Sequence, residues 1–266
     1  MSGQAKRQFL SIRSRGLSGE FQEAIRIIRG CSSLQLVCIH FHLGTQTDPL
    51  DRYFRVIDFA QELWGKIDLD KDVWLDLGGG YPYQHHRPLH SQIFDPISFF
   101  TALKKRWRFP IRPPLLIEPG RWICSSSFAI VSRVLASKKR LSEPTIVVVD
   151  SGTNHNVMAA FYEHQWVFER TLEQDRFRLC GPLCMEDDIL SGPMLAERPV
   201  NESLVVMLNA GAYSFSLSRT FIQPRPAVVR IEGSKYQLLV DQECVDGVYG
   251  VCRAFHKQGT ARGQAR

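Results

Sequence analysis

Along the first half of the chain, apolar positions recur with a helical period in some stretches and run together in others, and the two patterns alternate. Over residues 18–29, Phe21, Ala24, Ile25, Ile27 and Ile28 return at helical spacing and Gly30 supplies a stop, which predicts an amphipathic helix. Residues 34–42 are apolar on both faces and few enough for a buried parallel strand, which ends in His42-Leu43-Gly44-Thr45-Gln46. Behind Asp48-Pro49, the set Leu50, Tyr53, Phe54, Ile57, Phe59, Ala60, Leu63 and Trp64 predicts a second helix over 50–64. A strand over 73–77 runs into Gly78-Gly79-Gly80, and a loop rich in Pro and His follows to about residue 90. Residues 96–108 read as a helix, and 115–117 as a short strand entering Glu118-Pro119-Gly120-Arg121. Strands alternating with helices, with polar residues at the C-terminal end of each strand, are the pattern of an α/β barrel or an open parallel sheet.

Beyond Arg121 the pattern changes to short β-type runs at 128–136, 145–149, 165–168, 176–180, 203–208, 227–231 and 236–240, divided by turn residues. The chain therefore reads as α/β over 1–125 followed by a mostly β domain over 126–266, with the boundary inside 121–130.

Composition narrows the setting. With 44% apolar and 23% charged residues in 266, the chain has the balance of a folded globular protein. Its net charge of +6 is scattered, apart from Lys104-Lys105-Arg106, Lys138-Lys139-Arg140 and a basic tail ending at Arg266. No basic stripe interleaved with aromatics exists, so no nucleic-acid partner is expected. The seven cysteines, Cys31, Cys38, Cys124, Cys180, Cys184, Cys244 and Cys252, form no C-x-x-C pair and are odd in number, which predicts free thiols in a reducing compartment. The first residues hold no apolar leader and no run approaches the ~20 residues of a membrane span. A cytoplasmic protein with no membrane partner is the expectation.

Three consecutive glycines at a strand end cost backbone entropy and bury no side chain, so the bare backbone is needed there. One reason is an anion, since glycine N–H groups can close around a phosphate. The other is a tight turn after a buried strand. A dinucleotide fingerprint is excluded, because Gly78-Gly79-Gly80 is not G-x-G-x-x-G and no acidic residue follows at the required distance.

The succession His42-Leu43-Gly44-Thr45, Gly78-Gly79-Gly80, Glu118-Pro119-Gly120-Arg121, Asp150-Ser151-Gly152, Gly181-Pro182-Leu183-Cys184 and Gly211-Ala212-Tyr213 resembles the alanine-racemase-like (fold type III) pyridoxal-phosphate decarboxylases. This is the family of the ornithine, diaminopimelate and biosynthetic arginine decarboxylases, and the likeness runs from about residue 14 to about 231. It implies the C-terminal part of a (β/α)8 barrel that carries pyridoxal phosphate, followed by a sandwich-like or barrel-like β domain. By position, it implies that Gly78, Gly79, Gly80, Gly120, Arg121, Thr45 and Tyr213 contact the cofactor phosphate. Glu118 would pair with the pyridine nitrogen, and His42 would stack on the ring. Two histidines two apart on a strand are read as pointing to opposite faces, which leaves His40 structural; a charge-relay or metal role for the pair is the rival, and no metal is expected. Cys184 would protonate the substrate carbon across a dimer interface. Tyr162, Met185 and Glu186 would lie on the substrate side.

The chain departs from the family in two respects. The family's cofactor lysine lies well before the His-x-Gly strand, and only about forty residues precede that strand here. Lys6 is read as part of a polar tail outside any strand. A complete barrel takes ~200 or more residues, so the chain is expected to be a C-terminal portion without that lysine, inactive alone and working as a homodimer or with a completing N-terminal chain. In substrate choice, Met185 replaces an acidic residue and Met158 an arginine of the diaminopimelate branch, which argues for a less polar or carrier-bound amino acid. A non-enzymatic relative that keeps the surface and binds a partner subunit is the alternative.

Overall fold

The computed structural model describes residues 6–13, 18–45, 47, 51–83, 94–244 and 246–248. The Asp48-Pro49 start signal, most of the Pro- and His-rich loop, Cys252 and the basic tail lie outside them. The chain divides into two compact units, Met1–Ser125 and Ser126–Arg266.

The first unit is built on a four-stranded sheet in the order β1 (Lys6–Arg13), β2 (Leu34–His42), β3 (Trp74–Asp76), β4 (Leu115–Leu116), with every neighbouring pair parallel. Helices α1 (Ser18–Gly30), α2 (Asp51–Lys66) and α3 (Pro96–Arg106) connect the strands in turn, and the short α4 (Gly120–Cys124) follows β4. Chain order equals sheet order, as it does when each crossover returns to the same side. The three long helices were legible because their apolar stripes are real core faces. Phe21 and Ile25 of α1, Tyr53, Ile57, Ala60, Leu63 and Trp64 of α2, and Phe99 and Leu103 of α3 are buried in one cluster with Ile39, Phe41, Leu75 and Leu77 from the sheet. α3 begins where Asp95 caps it, accepting from the N–H groups of Ile97 (3.3 Å) and Ser98 (2.9 Å) ahead of a first-turn proline.

β1 corrects the expectation for the N-terminal segment. Lys6, read as part of a polar tail outside any strand, opens a strand that pairs with β2 in the register Lys6↔Leu34 through Arg13↔His42. Lys6 thus sits at the N-terminal edge of the sheet, about 23 Å along the strand from the edge where His42 ends, at the usual rise per residue.

The second unit contains one six-stranded sheet in the order β7 (Trp166–Phe168), β10 (Leu204–Met207), β5 (Ile130–Lys138), β6 (Thr145–Val149), β8 (Thr171–Cys180), β9 (Met194–Pro199). Only β6 and β8 run parallel. Val134, Val147, Val149, Phe177, Leu179, Val205 and Met207 bury its core. A separate hairpin pairs β11 (Val228–Glu232) with β12 (Lys235–Val240), and a one-turn helix α5 (Ser214–Leu217) lies between β10 and β11.

Candidate functional site

In the first unit the polar residues singled out from sequence gather at the C-terminal ends of β2, β3 and β4. The glycine run is shaped first by backbone contact. A Cβ on Gly78 would collide with the Phe41 carbonyl at the end of β2, one on Gly79 with the Glu118 carbonyl after β4 at 2.6 Å, and one on Gly80 with the Gly44 carbonyl. Gly78 (φ 64°) and Gly80 (φ 85°) also adopt left-handed backbone. All three carbonyls are engaged: Gly78 O accepts from Glu118 N–H (2.9 Å), Gly79 O from the Tyr53 hydroxyl (2.7 Å), and Gly80 O from Thr47 N–H (2.7 Å). The loop is therefore a junction of three strand ends. Of its N–H groups, that of Gly78 donates to Asp76 Oδ1 (2.8 Å), while those of Gly79 and Gly80 make no bond to another described residue.

Beside this junction lie His40, Asp76 and Glu118, with one ligand atom of each inside a 4.8 Å cluster. His40 Nε2 is 3.5 Å from Glu118 Oε2. The assignment of His40 and His42 to opposite faces is wrong. Side chains alternate with a period of two, so residues two apart share a face, and the two rings stand 6.1 Å apart between centroids. His40 is the inner one, touching Glu118, and His42 is exposed.

Burial sets the electrostatics here. Asp76 is 4% exposed, and burial pushes its carboxyl above the usual range, with the Glu118 charge adding to the rise and the Gly78 N–H and His40 opposing it. Burial, then the Asp76 charge, pushes the Cys38 thiol up to about 11. Burial holds the Tyr53 phenol up at about 12. Two carboxylates share the site, the inner one resisting ionisation and Glu118 open to solvent. Such a pair with an imidazole suits a cationic partner, whether a metal ion or a protonated heterocycle.

The remaining first-unit residues are placed less centrally. Thr45 is exposed on the loop after β2, and Gly120 is the exposed first residue of α4, its N–H donating to Glu118 O (2.8 Å). Arg121 is buried in α4. Thr47, Tyr53 and Asp76 were not singled out from sequence, although Asp76 stands two residues before the glycines, where a strand-end acid can reach their first N–H.

In the second unit, Cys184, Met185 and Glu186 are exposed on the turn after β8, Tyr162 is half-buried after the 157–160 turn, and Tyr213 is half exposed. Tyr213 has φ 66°, an uncommon backbone for a bulky residue, at the entry to α5. Asn156, 1% exposed, holds this loop: its Oδ1 accepts from Ser214 Oγ (3.1 Å) and from Met158 N–H (3.2 Å). The neighbouring Asn154 donates from Nδ2 to Phe221 O (3.2 Å), and its carbonyl accepts from Arg219 N–H (2.9 Å).

The family model described as "Pyridoxal-dependent decarboxylase, C-terminal sheet domain" matches residues 55–211, more than half of the chain. Among curated proteins, the chain is 24% identical over 249 residues to a diaminopimelate decarboxylase of Bacillus subtilis, covering 87% of this chain and 56% of that protein. It is 24% identical over 248 residues to the L-glutamyl-[BtrI acyl-carrier protein] decarboxylase of Niallia circulans, covering 83% and 56%. Among solved structures, diaminopimelate decarboxylase from Helicobacter pylori complexed with L-lysine superposes with a TM-score of 0.79 at 18% identity, covering 94% of this chain and 68% of that one. The chain thus spans about half the length of the curated relatives it matches. Over that span, with strand-end glycines, an open glutamate and a Gly-Pro-Leu-Cys turn that ends in an exposed cysteine, it belongs to the pyridoxal-dependent decarboxylase family of the ornithine, diaminopimelate and arginine enzymes.

Proposed function

We propose that this chain forms part of a pyridoxal-phosphate-dependent amino-acid decarboxylase, in the C-terminal part of an α/β barrel and the β domain that follows it. The observation that carries the reading is the Glu118 carboxylate, open at the end of β4, set by His40 and flanked by the glycine junction. The residues fit a phosphorylated pyridine. A carboxylate beside a buried acid stabilises a protonated ring nitrogen, and the N–H groups of Gly79 and Gly80 can donate to a phosphate.

When bound, the cofactor supplies the electron sink for the pair left by departing CO₂. Glu118 would keep the ring nitrogen protonated, with His40 beside that carboxylate, and His42, on the face it shares with His40, would stack on the ring. By the family resemblance, Cys184 would give a proton to the substrate carbon across a dimer interface, Tyr213 would serve the phosphate, and Tyr162 would serve the substrate side. Met158 and Met185 can neither grip a carboxylate bidentately nor pair with an ammonium, so the substrate is an amino acid other than diaminopimelate, less polar at its far end or carried on a larger group. Lys6, which opens β1 at the sheet edge opposite His42, is not assigned the covalent link to the cofactor, and a homodimer or a completing N-terminal chain is the partner this reading implies.

Titration of the purified chain with pyridoxal phosphate, followed by fluorescence quenching, tests the site. Binding that Glu118→Gln weakens by about tenfold, one lost charged contact, is expected; equal binding by the variant would overturn the assignment. Borohydride treatment followed by peptide mass mapping should find no modified lysine. With a completing segment supplied, turnover of diaminopimelate above that of ornithine, lysine, arginine and carrier-bound amino acids would refute the substrate reading, and cofactor binding without any turnover would favour a non-enzymatic, partner-binding homologue.

A further inference from the structure

Asp188 lies four residues beyond Cys184 and is 3% exposed, although it carries a carboxylate. Every described contact of that group goes to one of two loops. Its Oδ1 accepts from the backbone N–H (2.7 Å) and the hydroxyl (3.0 Å) of Thr153, in the segment that follows β6. Its Oδ2 accepts from Leu183 N–H (2.8 Å), the residue immediately before Cys184. The Asp188 carbonyl accepts from Gly181 N–H (2.9 Å), which closes the turn on itself. Both loops are pressed together at glycines: a Cβ on Gly181 would meet the Asp188 carboxylate and Gly152 Cα, and one on Gly152 would meet the Leu183 side chain at 2.8 Å. A buried carboxylate is tolerated only when donors replace its water, and here three do so.

We propose that Asp188 is a positioning residue: its buried carboxylate fastens the Gly181–Cys184 turn to the segment 151–156 and so fixes where the Cys184 thiol stands. The same segment, through Asn154 and Asn156, holds the 213–221 loop with Tyr213. One stretch of six residues therefore carries both the Cys184 turn and the Tyr213 loop. The consequence for catalysis rests on the role proposed for Cys184; the clamp itself does not.

Asp188→Asn keeps one acceptor oxygen but turns an amide N–H₂ toward either Leu183 or Thr153, so one loop must release. The test is amide hydrogen exchange of the intact chain together with maleimide labelling of Cys184, using the exposed Cys124 and Cys244 as internal references. In Asp188→Asn, peptides holding Leu183 or Thr153 should exchange about tenfold faster, as a locally opened segment does, while β5 and β10 keep their protection. The labelling rate of Cys184 relative to the two references should change by about threefold or more, since thiol reactivity follows local surroundings. Thr153→Val removes only the hydroxyl donor and should give the same signature at smaller amplitude, which covers the case in which Asp188→Asn does not fold. Unchanged exchange at Leu183 and Thr153, or a rise spread equally over β5 and β10, would overturn the proposal. A Cys184→Ala protein that turns over substrate as fast as the parent when a completing segment is supplied would instead overturn the role of the thiol, with the exchange result left standing.

Discussion

In the first unit the candidate site is fixed by backbone meeting backbone: strand ends from β2 and β4 leave room for the Gly78–Gly80 loop only because it carries no Cβ atoms. In the second unit the corresponding loops are fixed by buried side chains, with Asp188 on the Cys184 turn and Asn156 on the Tyr213 loop. The difference lies in what each can tolerate. A steric junction fails on any added atom, whatever its polarity, whereas a hydrogen-bonded clamp fails when a donor or acceptor changes, even at constant shape. The first suits a rigid platform at parallel strand ends, where ligands of such sheets bind. The second suits groups presented on turns.

The sharpest way to break this contrast is Gly80→Ala. The new Cβ would collide with the Gly44 carbonyl, and the residue would have to hold φ 85°. A loss of about 3 kcal/mol or more is expected from steric and backbone strain together, read as a fall in the urea midpoint. A variant as stable as the parent would show that the strand ends can part. Next comes Asp188→Ala, which strips the partner from three donors. Unsatisfied buried donors put its cost at roughly 2–4 kcal/mol, and protection should be lost at Leu183 and Thr153 before the sheet core.

A smaller effect tests the electrostatics of the first unit. Asp76 has its folded pKa raised above the ordinary 3.8. The folded state therefore holds this proton more tightly than the unfolded chain, and the stability so gained is present below that ordinary value and lost as pH rises through the raised one. Asp76→Asn keeps an acceptor for the Gly78 N–H and removes the charge. Its stability relative to the parent should improve as pH rises from the ordinary 3.8 through the raised value and then level off; urea midpoints that differ by a constant amount throughout would contradict the shift. Smallest of all is a thiol readout. With its thiol near 11 and buried, Cys38 should remain unlabelled by iodoacetamide under conditions that modify exposed Cys184. Labelling of Cys38 at a similar rate would mean that the β2 core opens.

Much of the architecture was written in periodicity. Helices α1, α2 and α3 and strands β2, β6 and β10 lie within a few residues of their apolar patterns, because each buries the face that the pattern marks. Strand β9, Met194–Pro199, escaped notice: Ala, Glu, Arg and Pro make a poor strand signal, and pairing with β8 makes it one. β8 itself extends back to Thr171 through polar residues for the same reason. β1 was hidden likewise, since its first residues, Lys6, Arg7 and Gln8, are polar, and the ladder with β2 makes them part of a strand.

The sequence by itself determined the alternation of helix and strand, the change of pattern after Arg121, and the motif order that marks the family, because these depend on residue type and spacing along one chain. Only the tertiary structure decided that His40 and His42 share a face with Glu118 beside the inner one, and that the three glycines answer to Phe41, Glu118 and Gly44. It alone showed that Asp188, one acid among several in a polar stretch, is the buried one that ties two loops together. These facts depend on which distant backbone comes within a few ångströms, and on which charges lose their water when it does. No periodicity along the chain encodes that.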